Sequence, residues 1–228
     1  MAPDLPAGTL AALMRVLFIP GIRRDYAGVI TMAAAATPPD DLTALFDRLE
    51  ESPERSLSLP PLCYQEPRFL DLERDEIFFR NWQFLCHAEK LREPGSIATA
   101  ETFGRSVFAV RGKDGVVRAF YNVCRHRGHA LVRQDGHARS ISCPYHAWTY
   151  NLDGTLRAAP GTECTPGFRK EDFGLVSVKI EEFAGLFFIN LDRNAEPLSK
   201  TASALRLEIE RYAPDLPRLT FAHRLTYT

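Results

Sequence analysis

Two short, mixed pairs of ligand-type residues constrain this chain more than anything else in it. They are Cys124-Arg125-His126 and Cys143-Pro144-Tyr145-His146, separated by residues 127–142. Thiolate and imidazole bind soft and borderline metals, so four such groups at this spacing can be presented to one centre from two facing loops. Loops of that kind need rigid support, which a sheet of short paired strands provides.

The surrounding residues read as such a sheet. Ser106 to Arg111 and Val116 to Tyr121 are β-prone runs flanking Lys113-Asp114-Gly115, and Trp148 to Leu152 and Thr155 to Ala158 flank Asp153-Gly154. Asp-Gly between β-prone runs predicts hairpins whose two turn residues both tolerate positive φ. Leu175 to Ile180 and Gly185 to Leu191 predict two further strands. The fold expected over residues 83–192 is mainly β, an antiparallel sandwich with the chemistry on its loops.

Upstream the period changes. Thr37-Pro38-Pro39-Asp40-Asp41 breaks the chain and supplies acidic capping residues. Leu42, Leu45, Phe46 and Leu49 then fall on one helical face, and Pro53 ends that helix. A second helix is expected from about Asp71 to Trp82, so residues 41–82 read as a short helical N-terminal arm. Residues 1–40 read as a poorly ordered leader. Its apolar stretch from Thr9 to Ile22 is broken by Arg15 and Pro20 and is too short to span a bilayer. Arg23-Arg24 before Gly28 to Ala36 loosely follows a twin-arginine export pattern, which Asp25 disturbs. The simpler expectation is that translation starts at Met32.

Composition excludes several partner classes. A net charge of −1 leaves no basic surplus to draw the chain onto nucleic acid or an anionic membrane. Five cysteines, scattered at 63, 86, 124, 143 and 164, are odd in number and argue against a disulfide scaffold. That usage fits a reducing, cytoplasmic setting. Cys63, Cys86 and Cys164 are read as reduced thiols outside the ligand set.

On residues alone, two centres accept two Cys and two His. Tetrahedral zinc is one. The other is a [2Fe–2S] cluster with two thiolates on one iron and two imidazoles on the other. The wider strings Asn122-Val123-Cys124-Arg125-His126-Arg127-Gly128 and Cys143-Pro144-Tyr145-His146-Ala147-Trp148 resemble the Rieske family, whose signature is C-x-H followed by C-x-x-H. The resemblance implies one Rieske-type [2Fe–2S] cluster held by Cys124, His126, Cys143 and His146. Arg125, Arg127, Gly128, Tyr145 and Trp148 are expected around it. His129, His87 and His137 are expected to be structural or surface histidines.

The respiratory branch of that family carries an extra cysteine in each loop and a serine two residues after the second ligand histidine. Here those positions hold His129, Tyr145 and Trp148. Loss of the staple and of a hydrogen-bond donor implies a lower reduction potential. The pattern, with the arm from Leu70 to Trp82, Glu89-Lys90-Leu91 and Pro94-Gly95, resembles the α subunits of Rieske non-haem iron oxygenases. These are the ring-hydroxylating dioxygenases and quaternary-amine monooxygenases.

That likeness implies an oxidoreductase fed by an NAD(P)H-linked reductase or a ferredoxin, and commonly a homotrimer. It also implies a following domain in which two His and a carboxylate hold a mononuclear Fe(II). Residues 193–228 read as the start of that domain, truncated, since only His223 follows His146. The expectation is therefore electron transfer alone, with no catalytic residues in this chain. The alternative is a stand-alone Rieske ferredoxin-like carrier.

Overall fold

The computed structural model describes Arg55 and residues 58–220. The expected leader, the helix over Leu42 to Glu51 and His223 lie outside the described residues. The chain divides into two compact units, Met1–Leu72 and Glu73–Thr228.

In the first unit Pro60 and Pro61 precede a single helical turn, α1 (Leu62–Gln65). Pro67 then opens α2 (Pro67–Glu73), where a fixed φ and a missing N–H cost nothing. Helix thus begins earlier than the apolar periodicity predicts. A π-helical turn over Arg74–Phe78 follows. It ends at Phe78, and Asn81 closes the turn that follows, its backbone N–H and side-chain amide both donating to Ile77 O, at 3.0 and 2.8 Å. Trp82 therefore lies outside the helix and leads into the first strand.

The second unit is antiparallel throughout. Its strands are β1 (Gln83–His87), β2 (Ser96–Thr102), β3 (Arg105–Arg111), β4 (Val117–Tyr121), β5 (Gly136–His137), β6 (Ile141–Ser142), β7 (Thr149–Tyr150), β8 (Leu156–Ala158), β9 (Ser177–Phe183) and β10 (Leu186–Asn190). Seven form one sheet in the order β1-β10-β9-β4-β3-β2-β5, and β6-β7-β8 form a second. The mainly β, antiparallel expectation describes what is seen.

Strand β3 divides the interior. Its residues 107–110 are fully buried on both faces, which is why they read as an unbroken apolar run. The two-residue period sends Phe108 and Val110 into one core, with Phe120, Trp148, Tyr150 and the thiols of Cys124 and Cys143. Val107 and Ala109 enter the other, with Leu85, Cys86, Leu91, Phe187 and Ile189. The first core carries the loops; the second is the foundation under them.

Both Asp-Gly sites are hairpin turns, but the turn type differs from expectation. Among the described residues the non-glycine positions with positive φ are Phe103, Ala147 and Ala184, so neither Asp114 nor Asp153 has it. Gly115 and Gly154 alone take the left-handed conformation, at φ +78° and +88°. Each aspartate instead accepts from the backbone N–H two residues on, Val116 at 3.1 Å and Thr155 at 2.9 Å. That local bond favours a wider turn with the bulge at glycine over a two-residue loop. At Gly154 space matters as well, since a Cβ would meet Phe120 Cε1 at 2.4 Å.

Beyond β10 the chain forms α3 (Leu198–Thr201) and α4 (Ser203–Tyr212). The predicted helical face exists, yet Leu205 is exposed and no residue of α4 is buried.

Candidate metal centre

The two Cys–His loops repeat one backbone device. In the first, Cys124 N–H donates to His129 O at 2.8 Å and Gly128 N–H returns to Cys124 O at 3.0 Å. In the second, Cys143 N–H donates to Trp148 O at 2.8 Å and Ala147 N–H returns to Cys143 O at 3.0 Å. The residue four places after each cysteine has positive φ, +74° at Gly128 and +57° at Ala147. Left-handed backbone is what lets so short a loop close; it is natural for glycine and strained for alanine.

The four predicted residues lie on these loops as two pairs at different depths. Cys124 and Cys143 are 2% and 4% exposed and share the first core. Outside them the imidazoles of His126 and His146 lie 4.9 Å apart between ring centroids, with His126 exposed and His146 half-buried. Among the described residues no three His, Cys, Asp or Glu side chains converge as the ligands of one ion would. The arrangement is instead two pairs at two depths.

Each imidazole has an aromatic neighbour. Trp148 stacks on His126 at 4.8 Å and 10°, and Tyr145 stacks on His146 at 3.8 Å and 28°. Phe168 and Phe173 meet the Trp148 edges at 5.8 and 5.6 Å and close the inner side. Tyr145, more than half exposed, closes the outer side, with the Arg127 guanidinium 6.0 Å from its ring centre.

Nδ1 of His146 is buried with no hydrogen-bond partner. A native structure seldom leaves such an atom unsatisfied. Burial, followed by the charges of His126 and Arg127, pushes the His146 pKa down, which favours the neutral imidazole, the form that binds metal. Two buried thiols, two outer imidazoles and an orphaned ring nitrogen fit a cluster taking thiolates on one iron and imidazoles on the other.

Two residues that matter here had no individual role in the sequence reading. Tyr150 is fully buried, and its phenol oxygen accepts from Arg125 N–H at 3.0 Å and lies 3.4 Å from Cys124 Sγ. With its lone pair engaged by Arg125, its one proton is available to the sulfur. Burial, then the bond to Cys124, pushes its pKa well above the usual phenol value and keeps it a donor. Tyr150, two residues beyond Trp148, thus supplies a hydroxyl donor at Cys124 Sγ. The signal was in the sequence, a tyrosine four residues after the last ligand, but strand pairing decides where it points.

Asn122 is the second. Its amide oxygen accepts from Leu131 and Val132 N–H, both at 2.9 Å, and its nitrogen donates to Val132 O at 2.6 Å and Ser106 Oγ at 3.1 Å. One buried side chain thereby ties the start and return of the first loop to β3.

The other histidines among the described residues are each within hydrogen-bond reach of the backbone. His87 Nδ1 accepts from Glu89 N–H at 3.2 Å while Nε2 lies 2.9 Å from Leu216 O. His137 Nε2 is 2.7 Å from Pro94 O, and His129 Nδ1 is 2.6 Å from Ala130 O.

Known proteins agree with this architecture. Residues 81–170 match the Rieske [2Fe-2S] domain family. The chain thus carries a Rieske domain of the kind found in oxygenase α subunits. It is 39% identical over 165 residues to the carnitine monooxygenase oxygenase subunit of Acinetobacter baumannii, covering 72% of this chain and 43% of the relative. It is 37% identical over 147 residues to the biphenyl 2,3-dioxygenase subunit alpha of Rhodococcus jostii, covering 64% and 32%. A crystal structure of the quaternary ammonium Rieske monooxygenase CntA with L-carnitine superposes with a TM-score of 0.70 at 36% identity, over 73% of this chain and 47% of that one. The chain spans less than half the length of these relatives. No helix among the described residues is long and apolar enough to cross a membrane.

Proposed function

We propose that Cys124, His126, Cys143 and His146 hold a [2Fe–2S] cluster, and that the chain relays single electrons from an NAD(P)H-linked reductase or ferredoxin to a mononuclear iron site that these residues do not supply. The observation that carries this reading is the layering of the two loops, thiols inside and imidazoles outside, with His146 Nδ1 buried and unpartnered.

When bound, such a cluster takes up and releases one electron. The chain's own residues set the conditions. Cys124 and Cys143 anchor the centre to the first core, while the exposed His126 ring offers a short outward path to a partner. Trp148, Phe168 and Phe173 keep water from the inner face. Tyr150 donates toward Cys124 Sγ, which favours the more negative, reduced state. Relatives that share this half are named for carnitine and for biphenyl, a charged and a hydrocarbon molecule. An electron-relay module is indifferent to that difference; the pocket around the second iron would decide it. The family likeness also supports a homotrimer for the full-length subunit, in which the imidazole end serves a neighbouring iron.

The test is anaerobic loading with iron and sulfide. The expected product holds about two irons per chain, is red-brown, gives an EPR signal on reduction, and is bleached by NAD(P)H through a reductase. A colourless, EPR-silent protein that takes up one zinc would overturn it.

A further inference from the structure

Trp148 carries a second orphaned atom. Its indole is 3% exposed, and Nε1 is buried with no hydrogen-bond partner. An indole N–H left unpaired in a dry interior costs about 1–3 kcal/mol, so something is expected to accept it. The aromatic rings packed against it are Phe168, Phe173 and the face of His126.

The same core brings the indole together with both thiols, Cys124 and Cys143. The Trp148 backbone is itself tied to the second of these through Cys143 N–H. We propose that Trp148 is a positioning and tuning residue: its Nε1–H donates to a sulfur of the bound cluster, as Tyr150 O–H does at Cys124. Both side-chain donors would then come from the segment just after His146, on the buried side. Donation to sulfur stabilises the reduced state, so the indole raises the reduction potential. This rests on the cluster assignment of the preceding section, and its test is separable from that one.

The rival acceptor is the Phe173 ring, which meets the indole edge-on at 86°; an N–H aimed at a phenyl face would be a weak bond unrelated to the cluster. Two measurements on the loaded protein decide. The first uses indole-labelled tryptophan. The chain has two tryptophans, and Trp82 Nε1 is already engaged with Glu196 O at 3.0 Å. ENDOR on the reduced cluster should therefore detect one exchangeable N–H proton and its indole nitrogen, and both should vanish in Trp148→Phe.

The second is the midpoint potential. Trp148→Phe keeps a ring against His126 and removes the donor. It should disfavour reduction roughly tenfold, a fall of about 59 mV for one electron, whereas Phe173→Leu, which keeps an apolar side chain on the inner face, should shift the potential far less. Absence of indole coupling in the wild-type protein overturns the proposal even if Trp148→Phe fails to assemble. So does a potential unchanged in Trp148→Phe, or one that falls equally in Phe173→Leu. Failure to form any cluster in the wild type would instead sink the assignment beneath it.

Discussion

The two Cys–His loops are built on one plan and finished with different chemistry. Both close through the same pair of backbone bonds and a left-handed residue four places after the cysteine. Their histidines nevertheless sit at different steps, two residues after Cys124 and three after Cys143. Carried on equal turns, adjacent positions bring the rings side by side, 4.9 Å apart, rather than stacking them on one line. The unequal spacing is thus what lets two equivalent turns present two imidazoles to one side. The finishing differs too. The first loop is pinned from behind by Asn122 and Tyr150, through hydrogen bonds. The second is held by ring packing, with Trp148 inside and Tyr145 outside.

If the shared plan is what matters for binding, removing either thiol has the same and largest effect. Cys124→Ser and Cys143→Ser should each abolish iron uptake and visible absorption. A red-brown serine variant at full iron content would break the equivalence and the ligand assignment with it.

The next effect probes the unlike supports. Tyr150→Phe removes the donor to Cys124 Sγ and leaves Arg125 N–H without its acceptor, so the apoprotein should lose about 1–3 kcal/mol in urea denaturation. The loaded form should show a lower potential as well. Removing the hydroxyl of Tyr145, which stacks through its ring, should leave stability near wild type; a comparable loss there would erase the contrast between bonded and packed loops.

Smaller and opposite changes are expected at the left-handed residues. Nothing lies within 4 Å of a Cβ built on Gly128, so Gly128→Ala meets only the conformational penalty, about 1 kcal/mol. Ala147→Gly should relieve a similar strain and stabilise the apoprotein by up to about 1 kcal/mol. Equal signs for the two would mean that the turns are not equivalent.

The last prediction contrasts the ligand thiols with the buried cysteine of the other core. Burial pushes the Cys86 thiol from 9.0 up to about 12, with Asp135 adding and Lys90 opposing. The unfolded thiol ionises first, so the unfolded state binds fewer protons at alkaline pH. The stabilising contribution is intact below pH 9 and is drawn down as pH rises between 9 and about 12. Denaturation midpoints should fall across that window in the wild type and fall less steeply in Cys86→Ala. Equal slopes would refute it. Near neutral pH the effect vanishes.

Much of this was legible beforehand because the strongest signals are local. A Cys-x-His pair, an Asp-Gly step and a Pro at a helix start each act through the backbone within a few residues. The β hairpins and the ligand-bearing strings follow from such steps. The turn type at Asp114 and Asp153 was not legible, because the choice rests on side-chain oxygens capturing the N–H two residues on, which competes with the two-residue loop. The helix before β1 was displaced for a similar reason, with Pro67 opening it and Asn81 closing the turn that follows it.

By itself the sequence determined which side chains can bind metal, at what spacing, and on a β rather than a helical scaffold, since spacing and two-residue period are properties of the chain. Only the tertiary structure decided that Tyr150 reaches Cys124, that Asn122 pins the first loop, and that Trp148 and His146 each keep a polar atom buried without a partner. Those outcomes depend on strand register and on which face a residue takes, and both are settled by packing between segments far apart in the chain.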